Sequence, residues 1–322
     1  MDKRMNNQKK TGVLLLNLGG PERQDDVRPF LFNLFSDREI IRLGPPFMQK
    51  IIARIIAYRR APQSMANYRH IGGGSPILAK TQEQAAALEE ALTEDGWFMV
   101  RACMRYWHPF ADEVLHEVLD AGVTRLVALP LYPHYSIATT GSSVKDLKRH
   151  LAALKATCPL HLIDAWPEEP SFIACLAERI RAGLAGFGDE SVQVVYSAHS
   201  LPVQFIREGD PYVEHLQQTI RAVEAITGVT GRLCYQSRSG PVEWLGPALP
   251  EVIEEMAAQG SRNMLVVPIS FVSDHVETLY EIDIQYRRLA EEFGLRFALT
   301  RALNADAQFI EGLRSLVLKA VG

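Results

Sequence analysis

Short apolar runs alternate with segments of helical periodicity along the chain, and this alternation constrains the fold more than any other feature. The first half contains the runs GVLLLNLGG, FMVRACMRY, TRLVALPLYPHYS and PLHLIDAW. The second half contains the runs VQVVYSAHS, RLCYQSRSG, RNMLVVPISFVSDH and LRFALTRAL. Near-continuous apolar runs separated by helices are typical of parallel strands that helices cover on both faces. We therefore predict an α/β protein with one parallel sheet in each half.

The two halves differ most after their first strands. We compared each apolar run of the first half with its counterpart in the second half. The number of residues between the two is similar for the second, third and fourth runs but larger for the first run. The first half therefore carries roughly 45 extra residues after its first strand, which is the scale of a functional insertion. We predict a first domain at residues 1–166, with the insertion at about 30–75, and a second domain at residues 167–322. The last helix is a candidate to pack back on the first domain.

The insertion contains an apolar stripe at helical spacing with basic residues between its members. The apolar positions are Phe47, Met48, Ile51, Ile52, Ile55 and Ile56, and the basic positions are Lys50, Arg54, Arg59 and Arg60. One interpretation is a helix packed on its own domain. The other is a lip that opens to a large apolar ligand or touches a membrane surface. The periodicity alone leaves both open.

Composition narrows the classes of partner and compartment. Of the 322 residues 47% are hydrophobic, and the net charge of −4 gives no reason to expect nucleic acid. The four cysteines lie far apart without a CxxC pair, which indicates a reducing compartment and argues against a structural zinc site. The basic N-terminus MDKRMNNQKKTG leads into a strand-like run rather than a signal peptide core, and no apolar run approaches roughly 18 residues. We expect a cytoplasmic protein, and the sequence does not indicate its oligomeric state.

Polar residues follow the predicted strands, where open parallel sheets bind ligands. The first half supplies Asn17, Gly19, Gly20, Arg105, Tyr106, Tyr132, His134, Tyr135 and Ser136. The second half supplies Ser197, His199, Ser200, Gln236, Ser237, Ser273, Asp274 and His275. If the two sheets face each other, these residues line the cleft between them.

The segment SDHVETLYE combines a helix start with a row of acids. Asp274 and Glu277 have the spacing of a capping box, so we expect the helix to begin there. Glu277 and Glu281 should then stack on one helix face. Acids at this spacing repel each other, which is tolerated best where a cation passes along the row. A solvated acidic face is the alternative, and the adjacent His275 makes it less favourable.

Other motifs are less specific. A histidine at a strand end, such as His199, is commonly a structural residue, and only its coincidence with His275 and Glu277 favours a functional role. SAHS lacks the G-x-S-x-G elbow of serine hydrolases, and LNLGGP lacks a dinucleotide fingerprint. IGGGSP is a weak phosphate signal. Residues near it could instead donate hydrogen bonds to carboxylates.

Seven motifs together resemble the ferrochelatase family, which inserts ferrous iron into a porphyrin. They are LNLGGP, YRHIGGGSPI, RYWHP, YSIATTGSS, SAHSLP, GPVEWLGP and SDHVETLYEIDIQY, and they run in the family's order from Leu16 to Tyr286. The resemblance implies two Rossmann-like, chelatase-type domains with the macrocycle in the cleft between them. It also identifies the insertion with the family's active-site lip.

The resemblance implies a role for each site residue. His199 lies on one side of the ring, His275 and Glu277 form the opposing pair, and Glu281 continues the acidic row. These four are also the candidate metal ligands. The apolar slot would be shaped by Arg105, Tyr106, Tyr132, Trp244 and Phe271. The propionates would meet Arg59, Tyr68 and Ser75.

The activity implied is that of a lyase of heme biosynthesis, which inserts Fe²⁺ into protoporphyrin IX and releases two pyrrole protons. His199 would take pyrrole protons, while the row Glu281, Glu277, His275 would deliver metal or drain protons. The opposite division of labour fits the sequence equally well. Two alternatives stay open: a chelatase for coproporphyrin III or another tetrapyrrole, and a non-catalytic tetrapyrrole or metal carrier.

The resemblance also bears on cofactors and partners. Some family members carry a [2Fe–2S] cluster on a cysteine-rich C-terminal extension, whereas this sequence ends in SLVLKAVG and has Ile137 where a cysteine would stand. We expect no cluster and treat Fe²⁺ as a substrate. The expected partners are porphyrin and ferrous iron, with peripheral membrane contact through the lip as an open possibility and no nucleic acid.

Overall fold

The computed structural model describes residues 9–238, 240 and 242–322, and these form two compact units. The first unit comprises the described residues up to Tyr132 together with Ser136–Ala165 and Asn304–Gly322. The second unit comprises Pro133–Tyr135 and Trp166–Leu303. Most of the basic N-terminal stretch, on which the expectation of no signal peptide rested, lies outside the described residues.

The first unit is built on a four-stranded parallel sheet. Its strands are β1 (Thr11–Asn17), β2 (Phe98–Met104), β3 (Arg125–Pro130) and β4 (Leu160–Leu162), in the order β2-β1-β3-β4. The central strand β1 is buried along its whole length, because helices cover both faces of a parallel sheet. Its helices are α1 (Val27–Ser36), α2 (Gln49–His70), α3 (Ile77–Ala91), α4 (Ala111–Asp120) and α5 (Ser142–Ala153).

The second unit repeats this topology. Its strands are β5 (Gln193–His199), β6 (Gly231–Gln236), β7 (Asn263–Pro268) and β8 (Arg296–Leu299), all parallel, in the order β6-β5-β7-β8. Its helices are α6 (Pro170–Ala185), α7 (Val203–Arg207), α8 (Tyr212–Thr227), α9 (Leu249–Ala258) and α10 (Arg287–Glu292). A π-helix, Glu277–Tyr286, leads directly into α10. Each of the eight apolar runs contains one strand, so the predicted α/β fold with two parallel sheets is confirmed.

The last helix, α11 (Ala307–Val321), belongs to the first unit, where it packs against α3. Arg314 on α11 forms an ion pair with Asp95, with Nε and Oδ2 2.7 Å apart. Arg125 at the start of β3 donates a hydrogen bond to the carbonyl oxygen of Val321. The helix therefore completes the first sheet's helical cover.

The α1–α2 pair is the insertion of the first unit. Ala53, Ala57 and Ala61 recur every four residues and are buried, so small side chains let α2 approach α1 closely. Of the larger apolar side chains, Phe47 is 79% and Ile51 is 57% exposed, whereas Ile52 and Ile56 are half-buried. The predicted apolar stripe is therefore divided between a half-buried part and an exposed part, and the alanines form the most buried positions of α2.

None of the helices in the described part of the chain is both long enough and apolar enough to span a membrane.

Candidate active site

His199 and Glu277 form an ion pair at the carboxyl edge of the second sheet. His199 is the last residue of β5, and Glu277 is the first residue of the π-helix that follows β7. The Nδ1 atom of His199 lies 2.8 Å from Oε2 of Glu277, which leaves no room for a ring between them. The expectation that the two residues lie on opposite sides of the macrocycle is therefore wrong. Because an ionised carboxylate only accepts, Nδ1–H is the donor, which leaves the lone pair on Nε2. The imidazole is 38% exposed and can therefore be reached by a ligand.

The pair shifts the proton affinity of both partners. Burial lowers the pKa of His199, but the charge of Glu277 and its hydrogen bond outweigh burial and raise this pKa overall. Burial raises the pKa of Glu277, but the charge and hydrogen bond of His199 outweigh it and lower this pKa overall. His199 is therefore a stronger base than a free imidazole.

His275 presents a second imidazole to the same carboxylate. It is only 6% exposed, and its Nδ1 lies 3.0 Å from the carbonyl oxygen of Ser273. A carbonyl oxygen can only accept, so Nδ1 carries the hydrogen and Nε2 keeps its lone pair, 4.0 Å from Oε1 of Glu277. The ring packs against Phe271, with 4.4 Å between the ring centroids. Burial lowers the pKa of His275, so this ring stays neutral.

Glu281 is held by Ser237 and Tyr286. Its Oε1 accepts the Ser237 backbone N–H at 2.8 Å and the Tyr286 hydroxyl at 2.9 Å. The Ser237 hydroxyl lies 2.5 Å from Oε2 of Glu281 and 3.1 Å from Oε2 of Glu277. Burial and the charge of Glu277 raise the pKa of Glu281. One hydroxyl therefore joins the two carboxylates of the row.

The predicted capping box is wrong. Val276 precedes the helix, which begins at Glu277, and it makes no side-chain capping bond. Glu277 turns its carboxylate to His199 instead of back to the chain at Asp274. The prediction that Glu277 and Glu281 share one face is consistent with their common contact to Ser237. The π-helical turn also places Tyr286, five residues on, against Glu281.

Gln236 and Ser237 complete this edge, although only their position at a strand end marked them in the sequence. The Oε1 atom of Gln236 accepts the Ser197 hydroxyl at 2.5 Å, and its Nε2 lies 3.4 Å from Glu277. Ser237 has a φ of 64°, an uncommon left-handed conformation for a residue with a side chain. This conformation aims both its N–H and its hydroxyl at the acidic row.

In the first unit, Arg105 and Tyr106 are engaged with Asp37. The Arg105 Nη2 atom and the Tyr106 hydroxyl each lie 2.8 Å from Oδ2 of Asp37. We predicted that the ring of Tyr106 shapes the apolar slot. Tyr106 is only 1% exposed, so its ring is not available to a ligand in this structure. Asp37 was not a candidate, because nothing local in the sequence announces a contact with residues so distant along the chain.

The remaining candidates differ in exposure. Arg59 is exposed on α2, Ser75 is half-buried, and Tyr68 is only 5% exposed and has interactions within the protein. Tyr132 in the first unit and Trp244 in the second are half-buried. Of the residues predicted to meet propionates, Arg59 is the one most available to a ligand.

A preformed cage for a metal ion is not part of this arrangement. Among the residues that the structure describes, no three or more His, Cys, Asp or Glu side chains are grouped so that they could hold one. Glu277 nevertheless contacts the imidazole of His199 and faces that of His275.

Known proteins of similar fold are chelatases. SirB from Bacillus subtilis with Fe³⁺ superimposes with a TM-score of 0.58 at 11% identity, over 97% of this chain and 95% of that one. The sirohydrochlorin chelatase SirB from Bacillus subtilis subspecies spizizenii, in complex with cobalt, gives a TM-score of 0.56 at 11% identity, with the same coverage of 97% and 95%. At this identity the likeness establishes the fold.

Sequence relatives establish the family. The Ferrochelatase family model matches residues 10–321. A ferrochelatase of Desulfotalea psychrophila is 57% identical over 96% of this chain and 97% of its own length. A ferrochelatase of Geobacter metallireducens is 52% identical over 97% of this chain and 98% of its own length. The chain therefore belongs to the ferrochelatase family, the lyases of heme biosynthesis that insert iron into a porphyrin.

Proposed function

We propose that this enzyme inserts Fe²⁺ into protoporphyrin IX and releases two pyrrole protons. The observation that carries the proposal is the His199–Glu277 pair, which presents an accessible basic nitrogen next to a second imidazole. Metal insertion needs a base for pyrrole protons and weak ligands for iron, and this edge offers both.

His199 is the proposed proton acceptor. Its Nε2 lone pair takes a pyrrole proton, and the resulting imidazolium is stabilised by the carboxylate on Nδ1. The charge of Glu277 supports this step because it raises the pKa of His199. In this proton transfer Glu277 acts through the ring that it orients.

His275, Glu277 and Glu281 are the proposed path for iron. The neutral His275 has its Nε2 free of the Ser273 contact, and imidazole and carboxylate are ligand types that suit Fe²⁺. Glu281 extends the row of carboxylates through Ser237. The reverse assignment, in which this row drains protons and His199 meets the metal, predicts that His275→Ala leaves the KM for iron unchanged.

The first unit is proposed to receive the macrocycle on the outward face of α2. Phe47, just before α2, is 79% exposed, and Ile51 and Ile55 on α2 are 57% and 49% exposed, which gives an apolar surface for a large planar ligand. Arg59, exposed on the same helix, can donate to a propionate. Tyr132, in the same unit, stays a proposed aromatic contact of the ring.

The same face supports a second proposal, peripheral contact with anionic lipid. Lys50 and Arg54 are exposed between the apolar side chains, as in helices that lie in a membrane interface. Co-sedimentation with vesicles containing phosphatidylserine tests it, with neutral phosphatidylcholine vesicles as the control. Phe47→Ser with Ile51→Ser should abolish the co-sedimentation, and unchanged recovery of this double variant would contradict the proposal.

We propose that the enzyme acts in the reducing cytoplasm and without an iron–sulfur cluster. All four cysteines are free thiols. Burial raises the pKa of Cys103 and of Cys234 to about 12, so neither is available as a thiolate ligand. An iron–sulfur absorption spectrum from the purified protein would contradict this.

The proposed function is tested by anaerobic metallation of two rings in parallel. Protein and Fe²⁺ are mixed with protoporphyrin IX or coproporphyrin III, and loss of the free-base spectrum is followed. Faster metallation of protoporphyrin IX supports the proposal, whereas a preference for coproporphyrin III moves the enzyme to a different step of heme synthesis. Tight binding without metallation of either ring would establish a carrier instead.

A further inference from the structure

Asp37 accepts hydrogen bonds from side chains of two separate segments of the first unit. It follows α1 directly, and its side chain is 9% exposed. Its Oδ2 accepts from Arg105 and Tyr106 at 2.8 Å each and from the hydroxyl of Ser142. Its Oδ1 accepts the backbone N–H of Glu39 at 2.9 Å. Both oxygens of this nearly buried carboxylate are therefore hydrogen-bonded.

The donors come from the carboxyl edge of the first sheet. Arg105 and Tyr106 follow β2 directly, and Ser142 is the first residue of α5. Arg105 Nε also donates to Ser142 Oγ at 2.8 Å, so the donors are bonded to each other as well. Charge-assisted bonds of this kind are stronger than neutral ones. Asp37 therefore ties the beginning of the insertion to the sheet.

Gln49 fastens the other end of the same loop. It is the first residue of α2 and is 3% exposed. Its Nε2 donates to the carbonyl oxygens of Phe35 at 2.8 Å and Ile41 at 2.9 Å. Its Oε1 accepts the N–H of Leu43 at 3.0 Å. The loop between α1 and α2 is thus folded around one buried amide, next to Asp37.

We propose that Asp37 is a positioning residue for porphyrin binding, which holds the α1–α2 insertion against the sheet so that its exposed apolar face is in place before the ring arrives. The inference rests on the proposed function, in which that face receives the macrocycle. Asp37 is proposed to act without touching the ring or the metal. It lowers the ordering cost of binding, because a preformed surface loses less conformational entropy.

Asp37→Asn tests this role of Asp37, which we call the anchor of the α1–α2 insertion. The amide keeps the size of the side chain, but only its oxygen can accept hydrogen bonds, whereas both carboxylate oxygens accept them. Losing charge-assisted bonds should let the loop open, and amide hydrogen exchange across residues 38–48 should speed up by about tenfold. The KM for porphyrin should rise by about tenfold while kcat stays within roughly threefold, because ordering the loop is added to binding and not to chemistry. Exchange in α9 of the second unit should not change.

Asp95→Asn is the matched control. Asp95 also pairs with an arginine of the first unit, Arg314, but through α11 and not through the insertion. A general loss of stability would make the two variants alike. If Asp37 is the anchor, only Asp37→Asn changes amide hydrogen exchange in the loop and the KM for porphyrin. Equal effects of Asp37→Asn and Asp95→Asn would overturn the proposal.

Tyr106→Phe and Ser142→Ala keep the test decisive if Asp37→Asn does not fold. Each removes one hydroxyl donor and leaves the Asp37–Arg105 ion pair, so each should speed exchange in residues 38–48 by a smaller factor. Unchanged exchange in both overturns the anchor. The exchange experiment needs no turnover, so the outcome is distinct from a failure of the proposed function, which would show as a wild-type protein that metallates neither ring.

Discussion

The two sheets have the same strand order, yet the charged groups at their carboxyl edges do different things. At the first edge, Arg105 pairs with Asp37, which is also bonded to Tyr106. At the second edge, His199 pairs with Glu277 and remains 38% exposed. A guanidinium keeps its proton in any protein environment, whereas an imidazole gains and loses one near neutral pH. The charged pair at the first edge is therefore suited to stabilising the fold, and the pair at the second edge is suited to transferring protons.

A repeated topology determines where a site can form but not what the site does. In both sheets, polar residues follow the strands at the carboxyl edge, which is where open parallel sheets bind ligands. The chemistry then depends on whether the partners found there can change charge. Substitutions at the two edges should therefore affect different quantities.

The largest expected effect is the loss of activity when His199, at the carboxyl edge of the second sheet, is replaced. His199→Ala removes the proposed base, and the kcat of metallation should fall by about 10³-fold, as is typical for general bases. Binding of free-base porphyrin, followed by its fluorescence, should stay within roughly threefold of wild type. His116→Ala, on the exposed side of α4, is the control and should be fully active. Equal losses of binding and rate would assign His199 to binding alone.

Glu277→Gln should slow the reaction by about 10²-fold and shift its pH dependence. His199 must be neutral to accept a proton, so wild-type activity falls as the pH drops through its raised pKa. Without the charge of Glu277, burial dominates and lowers this pKa. The acid limb of kcat should therefore move to lower pH, and a limb that stays or moves up would contradict the pairing.

Arg105→Met should act on stability at the first edge. It leaves the nearly buried Asp37 without its cation, and the free energy of unfolding should fall by about 2 kcal/mol. Urea denaturation measures this change, and the pH dependence of kcat should keep its wild-type shape. A shifted pH profile would mean that the first edge also takes part in proton transfer.

The smallest effect is expected at Ser237, where two variants separate backbone from hydroxyl. Ser237→Ala and Ser237→Gly both lose the hydroxyl between Glu277 and Glu281, and the KM for Fe²⁺ should rise severalfold in each. Only glycine adopts the left-handed φ of 64° without strain, so Ser237→Gly should be the more stable by about 1 kcal/mol. Wild-type iron kinetics in both would remove Ser237 from the metal path.

The sequence predicts the sheets well because their signal is local. Each strand is a continuous apolar run, and its last residues identify the carboxyl edge. His199 and Gln236 were found in this way. The periodicity also predicts the apolar stripe of α2, although Ile51 and Ile55 are exposed and it is the alanines of this helix that are buried.

Long-range pairing was beyond the sequence. The spacing of Asp274 and Glu277 fits a capping box, but the Glu277 carboxylate binds the imidazole of His199 instead. Asp37 meets Arg105 and Ser142 only after the sheet has formed, so no periodicity marks it. Such contacts depend on the register of strands and loops, which composition does not encode.

Chemical rescue of His199→Ala by imidazole tests whether His199 is the proton acceptor. Single turnovers of protoporphyrin metallation are followed anaerobically at increasing imidazole concentration. Because the His199 side chain is 38% exposed, imidazole should enter the space that it vacates and restore the rate with saturation. The rescued rate should also follow the pKa of the added base in a series of substituted imidazoles. A His199→Ala rate that no imidazole changes, or one equal to wild type, would contradict the claim.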